Sequence, residues 1–170
     1  MVPVFVLQGI FGDSFYFAVA AMAAIGFVFL PRNRGALVLA LLLTLVLVPV
    51  AKDYYGQARP CDGQPWCPDD WGFPSGHATV MFVFVGASLG TLGFYPFSAL
   101  ALVVSYSRIA DGVHTFLQVA GGAATGLVFF FVCREALDEF WAQNKKHRWV
   151  GGGRAGETLW RTKTRKAKKR

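Results

Sequence analysis

Long uncharged apolar runs alternate along the chain with short segments that carry the charges and the turn-forming residues. A membrane-crossing helix needs roughly 20 mostly apolar residues. The uncharged run from Val80 to Tyr106 is too long for one span, and the Gly90–Pro96 segment supplies a break within it. The pattern therefore predicts an all-α fold with about five spans, at residues 15–30, 35–55, 76–93, 96–110 and 113–133.

The first residues of the chain are apolar, but they do not have the pattern of a cleaved signal peptide. Val2 to Phe11 is short, and Gly9 and Gly12 weaken it as a helix. The first positive charges, Arg32 and Arg34, follow the apolar run instead of preceding it. We therefore predict a retained segment that forms an interfacial or re-entrant helix.

The overall composition supports a membrane protein. Hydrophobic residues make up 54% of the chain and charged residues only 16%, whereas soluble domains carry roughly 25% charged residues. Buried core helices of a soluble protein are the alternative, but four or five such runs in 170 residues leave too little polar surface to cover them. The fold class expected is a polytopic membrane helical bundle.

The distribution of positive charge predicts the orientation of this bundle. The net charge of +7 could suggest nucleic acid, but the basic residues flank apolar spans and are not interleaved with aromatic residues. One predicted side carries Lys52, Arg59 and Arg108. The opposite side carries a larger number of basic residues, which include Arg32 and Arg134. Because cytoplasmic ends carry more Lys and Arg, the second side is expected to be cytoplasmic. We predict a multi-pass protein of the plasma (inner) membrane with Lys52 and Arg59 facing the periplasm or exterior.

Residues 151–170 differ sharply in composition from the rest. A run of three glycines is followed by a segment rich in Lys and Arg. We predict a single membrane domain over residues 1–150 and a flexible basic tail over residues 151–170 in the cytoplasm, where anionic lipid can attract it.

Lys52 and Arg59 are basic residues at the end of an apolar span. If the helix continues to Pro60, their seven-residue spacing places both on one face. Snorkelling to the membrane interface is a sufficient explanation for either residue alone.

The sequence Pro74-Ser75-Gly76-His77 opens the next helix. The free amide groups and the dipole at a helix N-terminus favour an anion. Ser75 is a suitable N-cap, Gly76 permits close approach of an oxyanion, and His77 falls in the first turn. An ordinary capped helix with an incidental histidine is the alternative.

Arg108 and His114 flank the junction between the last two helices, and Gln118 follows His114 by one helical turn. A lone histidine at a helix end is more often structural. Three cations, two histidines and a helix N-terminus on one side of the membrane are more specific together, and they indicate a phosphate site for a membrane lipid.

The combination Lys-x6-Arg-Pro, Pro-Ser-Gly-His and Ser-Arg-x5-His resembles the type 2 phosphatidic acid phosphatase (PAP2) family over residues 49–122. This resemblance implies a two-step phosphoryl transfer that needs no metal and no cofactor. It implies that His114 is the nucleophile that forms a phosphohistidine and that His77 is the general acid. The residues implied to hold the phosphoryl oxygens are Lys52, Arg59, Arg108, Ser75 and Gly76.

Gln118 departs from the usual family pattern, which has an aspartate at this position. A glutamine can accept a hydrogen bond from the nucleophilic ring but brings no charge. We expect Gln118 to orient His114. Asp111 is a weaker alternative partner and is expected to cap or turn the loop.

The loop between the first two motifs contains Cys61 and Cys67. If this loop faces an oxidising compartment, the two cysteines could form a disulfide. A zinc site is the alternative, but no second Cys or His pair completes one, so no metal is predicted. Asp62, Asp69 and Asp70 in the same loop are expected to be solvated.

The predicted function is hydrolysis of a terminal phosphate from a lipid phosphate or diphosphate in the bilayer, with no nucleic-acid partner. A polyprenyl diphosphate such as undecaprenyl diphosphate is the first choice of substrate. The alternatives are phosphatidylglycerophosphate, phosphatidate and the 1-phosphate of lipid A, or a lipid-diphosphate-dependent phosphotransferase. A non-catalytic lipid-binding membrane protein is the alternative outside enzymes.

Overall fold

The computed structural model describes residues 15–30 and 32–167 and is all-α in these ranges. The helices are α1 Phe15–Phe29, α2 Arg34–Tyr55, α3 Gly76–Ser88, α4 Phe94–Ala110 and α5 Phe116–Ala167. Two of them are long and apolar enough to cross a membrane, namely α2 and the part of α5 from Phe116 to Asn144. The all-α prediction is confirmed, while the interfacial helix predicted at residues 2–11 lies outside the described residues.

Two helix boundaries differ from the prediction because of backbone turns at glycine. Helix α3 ends at Ser88 instead of residue 93, since Gly90 has a φ of 77° that favours glycine. Helix α4 begins at Phe94, two residues before Pro96, which is tolerated in a first turn because the amide there needs no partner.

The start of α5 is also later than predicted, at Phe116 instead of residue 113. Gly112 has a φ of 69° and forms a turn after α4. In this turn the amide of His114 donates to the carbonyl oxygen of Arg108 at 3.1 Å. His114 therefore lies just before α5 and not inside it.

Helix α5 continues to Ala167, through most of the segment for which the sequence predicts a flexible tail. The described residues up to Arg134 form one compact unit, and those from Glu135 onward form another. The functional residues proposed from the sequence all lie in the first unit, and the domain boundary at residue 150 stays a prediction.

Glycines on α5 allow α3 to approach closely enough for backbone contact. A Cβ atom at Gly122 would lie 2.4 Å from the carbonyl oxygen of Ser75, and one at Gly126 would lie 2.2 Å from that of Thr79. Small residues four apart permit this kind of helix packing in membranes. The packing is reinforced by a 3.0 Å hydrogen bond from the amide of Ser75 to the carbonyl oxygen of Gln118. These contacts bring the Pro-Ser-Gly-His motif next to the start of α5.

Candidate active site

A cavity of about 450 Å³ joins the three sequence motifs. One part of its wall is apolar and includes Leu45, Val48 and Val80. The remainder is polar and is formed largely by the motif side chains Lys52, Arg59, His77, Arg108 and His114. The structure thus gathers these five residues around one space.

The first motif reaches the cavity from a helix end and the loop that follows it. Lys52 lies in the last turn of α2, which ends at Tyr55 because Gly56 adopts the left-handed conformation with a φ of 54°. The expectation that the helix continues to Pro60 is therefore wrong, and Arg59 extends from a loop. Lys52 and Arg59 are both buried.

The guanidinium group of Arg59 holds the third motif and the intervening loop together. Its NH1 group donates to the carbonyl oxygen of Val113 at 3.1 Å and lies 3.0 Å from Nε2 of His114. Its Nε and NH2 groups donate to Asp70, to the backbone oxygen at 2.8 Å and to Oδ1 at 2.5 Å. A planar guanidinium is suited to contacts in several directions at once.

Asp70 is the main site residue that sequence reasoning missed. Its carboxylate forms ion pairs with both Lys52 and Arg59, so the expectation that it is merely solvated is wrong. Burial raises the pKa of Asp70, but hydrogen bonds and charge from Lys52 and Arg59 outweigh it and hold the pKa below the usual 3.8. The sequence did contain one sign that such a residue is needed. The cations are in excess at one predicted face, and they require a counter-anion when no substrate is bound.

Gln118 fixes the ring of His114 and caps α5. Its Oε1 lies 3.2 Å from Nδ1 of His114 and accepts the amide of Thr115 at 3.1 Å. The hydroxyl of Thr115 accepts the amide of Gln118 at 3.2 Å, which completes a capping box. Because Oε1 can only accept, Nδ1 of neutral His114 carries the proton, and the electron pair of Nε2 accepts from NH1 of Arg59.

The amide group of Gln118 has only one orientation that satisfies its surroundings. Its Nε2 donates to the carbonyl oxygen of Ala58 at 2.9 Å and to Oε1 of Gln57 at 3.3 Å. The side chain is fully buried, and a Cβ atom at Gly72 would lie 2.5 Å from its Nε2. Because Gly72 has no side chain, there is room for the side chain of Gln118.

His114 is kept neutral. Burial lowers its pKa, and the positive charge of Arg59 lowers it further, to about 3, although the hydrogen bond to Gln118 acts in the opposite direction. The ring is consequently neutral at neutral pH, with its one proton on Nδ1, and Nε2 can act as a nucleophile.

Arg108 is held by Asp111, so the expectation that Asp111 only caps or turns the loop is incomplete. NH2 of Arg108 donates to Oδ2 of Asp111 at 2.9 Å, and both side chains are buried. Among the described residues, Nε of Arg108 and Oγ of Ser75 are buried without a hydrogen-bond partner. Such groups are suited to phosphate oxygens.

The second motif places its residues as a helix start. Ser75 occupies the N-cap of α3 but makes no side-chain capping bond, which leaves its hydroxyl available. Gly76 and His77 line the cavity from the first turn, and His77 is half-buried. In the loop before this motif, Cys61 and Cys67 are disulfide-bonded.

Replacing Gln118 by leucine is expected to reduce turnover of a phosphate ester about thirtyfold, which corresponds to about 2 kcal/mol for a hydrogen bond to a group that becomes charged. Leucine cannot hold Nδ1 of His114 in the required tautomer. The measurement is kcat with a soluble phosphate ester. Gln118→Glu is the matched variant, because it keeps the acceptor for Nδ1 and removes only the Nε2 donor to Ala58 and Gln57, so it should lose less. Equal losses in both variants would assign the role of Gln118 to its Nε2 contacts and packing and not to the contact with His114.

The low pKa of His114 predicts a specific dependence of stability on pH. The folded-state pKa lies below the unfolded value of about 6.5, so the unfolded chain binds a proton first as the pH falls. His114 therefore removes stability between about pH 6.5 and pH 3, by at most about 1.4 kcal/mol per pH unit. Thermal unfolding in detergent should show a steeper loss of stability below pH 6.5 for the wild type than for His114→Gln. Parallel curves would show that the ring titrates normally.

Two solved structures are similar to this chain. The crystal structure of Aquifex aeolicus LpxE has 27% sequence identity and a TM-score of 0.63, and the match covers 76% of this chain and 86% of that one. The second is described as the first transmembrane PAP2 type phosphatidylglycerolphosphate phosphatase, from Bacillus subtilis. It has 22% identity and a TM-score of 0.58, over 80% of this chain and 75% of that one, and supports the fold alone. A comparison with curated protein sequences gives no match.

The family model described as the PAP2 superfamily matches residues 33–142. This range is more than half of the 170-residue chain, and it includes every motif residue that lines the cavity. The chain therefore belongs to the PAP2 superfamily and is a membrane phosphatase of that family.

Proposed function

We propose that this phosphatase removes a terminal phosphate from a lipid phosphate or diphosphate through a phosphohistidine at His114. One observation carries the proposal. The Nε2 atom of His114 carries no proton, and its electron pair accepts from NH1 of Arg59 at 3.0 Å, a bond that an incoming phosphate would replace, while Nδ1 is held by Gln118. A nucleophile next to a fixed cation is the arrangement that phosphoryl transfer requires.

In the first step, Nε2 of His114 attacks phosphorus and the bond from phosphorus to the lipid oxygen breaks. His77 donates a proton to that oxygen, so the lipid leaves as an alcohol or as a lipid monophosphate. Lys52, Arg59 and Arg108 stabilise the negative charge on the transferring group. The hydroxyl of Ser75 and the amide of Gly76 complete the proposed phosphate contacts.

In the second step, water attacks the phosphohistidine and the nitrogen–phosphorus bond breaks. His77, now neutral, accepts a proton from this water. Inorganic phosphate leaves, and both imidazole rings return to their initial states. Side chains supply all of these steps, so the proposed reaction proceeds in the presence of a chelator.

The lipid chain is proposed to lie along the apolar part of the cavity wall, next to Leu45, Val48 and Val80. We further propose five spans, an external active site and a cytoplasmic C-terminal end, because in the order of spans predicted from the sequence the basic residues are more numerous on the side opposite the three motifs. Among substrates, a polyprenyl diphosphate such as undecaprenyl diphosphate is the first to test, because the Arg59-Pro60-Cys61 run and the Trp-containing loop after it resemble those of polyprenyl-diphosphate phosphatases.

The test is phosphate release by the purified protein in detergent with EDTA. The panel holds undecaprenyl diphosphate, phosphatidylglycerophosphate, phosphatidate and lipid A. Release that resists EDTA from at least one lipid is the expected result, and the preferred lipid identifies the substrate class. Phosphate transfer to a second lipid without free phosphate would favour a phosphotransferase. Lipid binding without either reaction would contradict the proposal.

A further inference from the structure

The carboxylate of Asp70 lies between two cations that are proposed to bind substrate phosphate. One oxygen contacts Nζ of Lys52, and the other lies 2.5 Å from NH2 of Arg59. Each oxygen thus has its own cation, as two oxygens of a bound phosphate would. Asp70 also borders the cavity that contains His77 and His114.

The burial of the three side chains is unequal. Asp70 is 53% exposed, while Lys52 and Arg59 are only 11% and 6% exposed. Ion pairs that are open to water on one side contribute little to stability. The carboxylate can therefore be displaced at modest cost, whereas the two cations are fixed by the fold.

The loop segment that carries Asp70 is fixed by one contact before this residue and one contact after it. On one side, Cys61 and Cys67 are disulfide-bonded. On the other, the amide of Gly72 donates to the carbonyl oxygen of Gln57 at 2.7 Å. These contacts hold the backbone near the cations and do not involve the side chain of Asp70.

A second cavity gives the displaced carboxylate a place to go. It has a volume of about 510 Å³ and is lined on the loop side by polar residues that include Asp62 and Gln64. Arg59 and Asp70 border both cavities. The side chain of Asp70 therefore lies at the boundary between the phosphate site and a space open to the loop.

We propose that Asp70 is an internal competitor of substrate phosphate, which occupies the Lys52–Arg59 subsite when it is empty and is displaced towards the loop cavity when phosphate binds. The inference rests on the proposed function in assigning Lys52 and Arg59 to phosphate binding. It makes Asp70 a residue that sets the affinity of the site without taking part in the chemistry.

Charge explains why substrate wins this competition. A terminal phosphate carries up to two negative charges and three free oxygens, and it can engage Arg108 as well as Lys52 and Arg59. A carboxylate carries one charge and two oxygens. Because the pKa of Asp70 is held below 3.8, it is ionised and competes throughout the neutral range. In the absence of substrate it compensates two buried cations, which are costly to leave unpaired.

The test compares inorganic phosphate binding by the wild type and by Asp70→Asn, with titration calorimetry on the purified protein in detergent. If Asp70 occupies the subsite about nine-tenths of the time, its loss should tighten phosphate binding about tenfold. Asp69→Asn is the control for loop charge: Asp69 also lines the loop cavity, but among the described residues it forms no ion pair with Lys52 or Arg59, so this variant should tighten phosphate binding clearly less than Asp70→Asn. Asp70→Glu keeps the carboxylate and should stay near the wild type.

Weaker or unchanged phosphate binding in Asp70→Asn would overturn the proposal, because Asp70 would then support the cations instead of competing for them. An equal tightening of phosphate binding in Asp69→Asn would also overturn the proposal, because the effect would then come from the overall charge of the loop. If Asp70→Asn does not fold, Asp70→Ser is judged by the same criteria.

Turnover separates this inference from the proposed function. In an active enzyme, Asp70→Asn should lower KM and leave kcat within about twofold, as expected for a change in ground-state competition only. If no lipid is hydrolysed but phosphate binds tenfold tighter to the variant, the proposed function fails and the internal competitor stands.

Discussion

Replacing His114 by alanine is expected to abolish phosphate release, with a loss of about 10⁴-fold or more in kcat, as removal of a catalytic nucleophile usually causes. Arg59 lies 3.0 Å from Nε2 of His114, and Gln118 fixes the opposite side of the ring. The measurement is phosphate release from the best lipid of the panel.

The control for this variant is His147→Ala, which removes the third histidine of the chain and should retain wild-type activity. Incubation of the wild type with a ³²P-labelled substrate and rapid denaturation at alkaline pH should leave label on the protein. His114→Ala should carry no label. Residual activity of more than a few per cent in the alanine variant would show that another group attacks phosphorus.

The nucleophile can also be distinguished from the general acid by changing the leaving group. An aryl phosphate releases a stable phenolate and does not need a proton donor. His77→Ala should therefore retain much of its activity on such a substrate while losing activity on an alkyl phosphate. His114→Ala should be inactive on both. Identical losses on both substrates in the two variants would contradict the division of roles.

The positions of the helices were predictable because apolar runs of the right length have few alternatives in a membrane protein. The predicted span at 35–55 agrees with α2 within one residue. The errors are at helix ends, where single glycines decide the backbone. Gly56 ends α2 before Arg59, and Gly90 ends α3 early. Both glycines are visible in the sequence, but only the structure shows that they adopt positive φ.

The motif residues were predictable as a set, whereas the contacts between them were not. The sequence separation between Arg59 and His114 is 55 residues, and no local pattern specifies an interaction over that distance. One contact did have a local signature that sequence reasoning overlooked. Thr115-x-x-Gln118 is a capping box, which explains how an uncharged residue can hold the nucleophilic ring so firmly.

Asp70 was missed for a different reason: the excess of cations at one predicted face called for a counter-anion, but nothing in the sequence singled out this aspartate. An aspartate in a polar loop is usually solvated, and its sequence neighbours Asp69 and Trp71 give no sign of a partner. Its role depends on the fold of the loop between the disulfide and the Pro-Ser-Gly-His motif. Loop folds follow from tertiary contacts more than from local propensity.

Replacing Arg59 by lysine is expected to lower kcat/KM by about 10²- to 10³-fold, the usual effect of losing one preorganised donor to a developing charge. The substitution keeps the positive charge but loses the planar group. A single ammonium cannot contact the backbone oxygens of Asp70 and Val113 and Nε2 of His114 together, as the guanidinium does. The loss should appear mainly in kcat, because the geometry at phosphorus is affected more than ground-state attraction.

The matched control is Arg32→Lys, the same exchange at an exposed position before the start of α2, which should leave both kinetic constants unchanged. Near-wild-type activity of Arg59→Lys would show that charge alone is required at this position.

A further variant, Arg59→Gln, tests the effect of the Arg59 charge separately. Since the charge of Arg59 lowers the pKa of His114, its removal should raise that pKa, although burial still holds it below 6.5. The acidic limb of the activity profile should then move to higher pH in Arg59→Gln but not in Arg59→Lys, because only the former removes the charge.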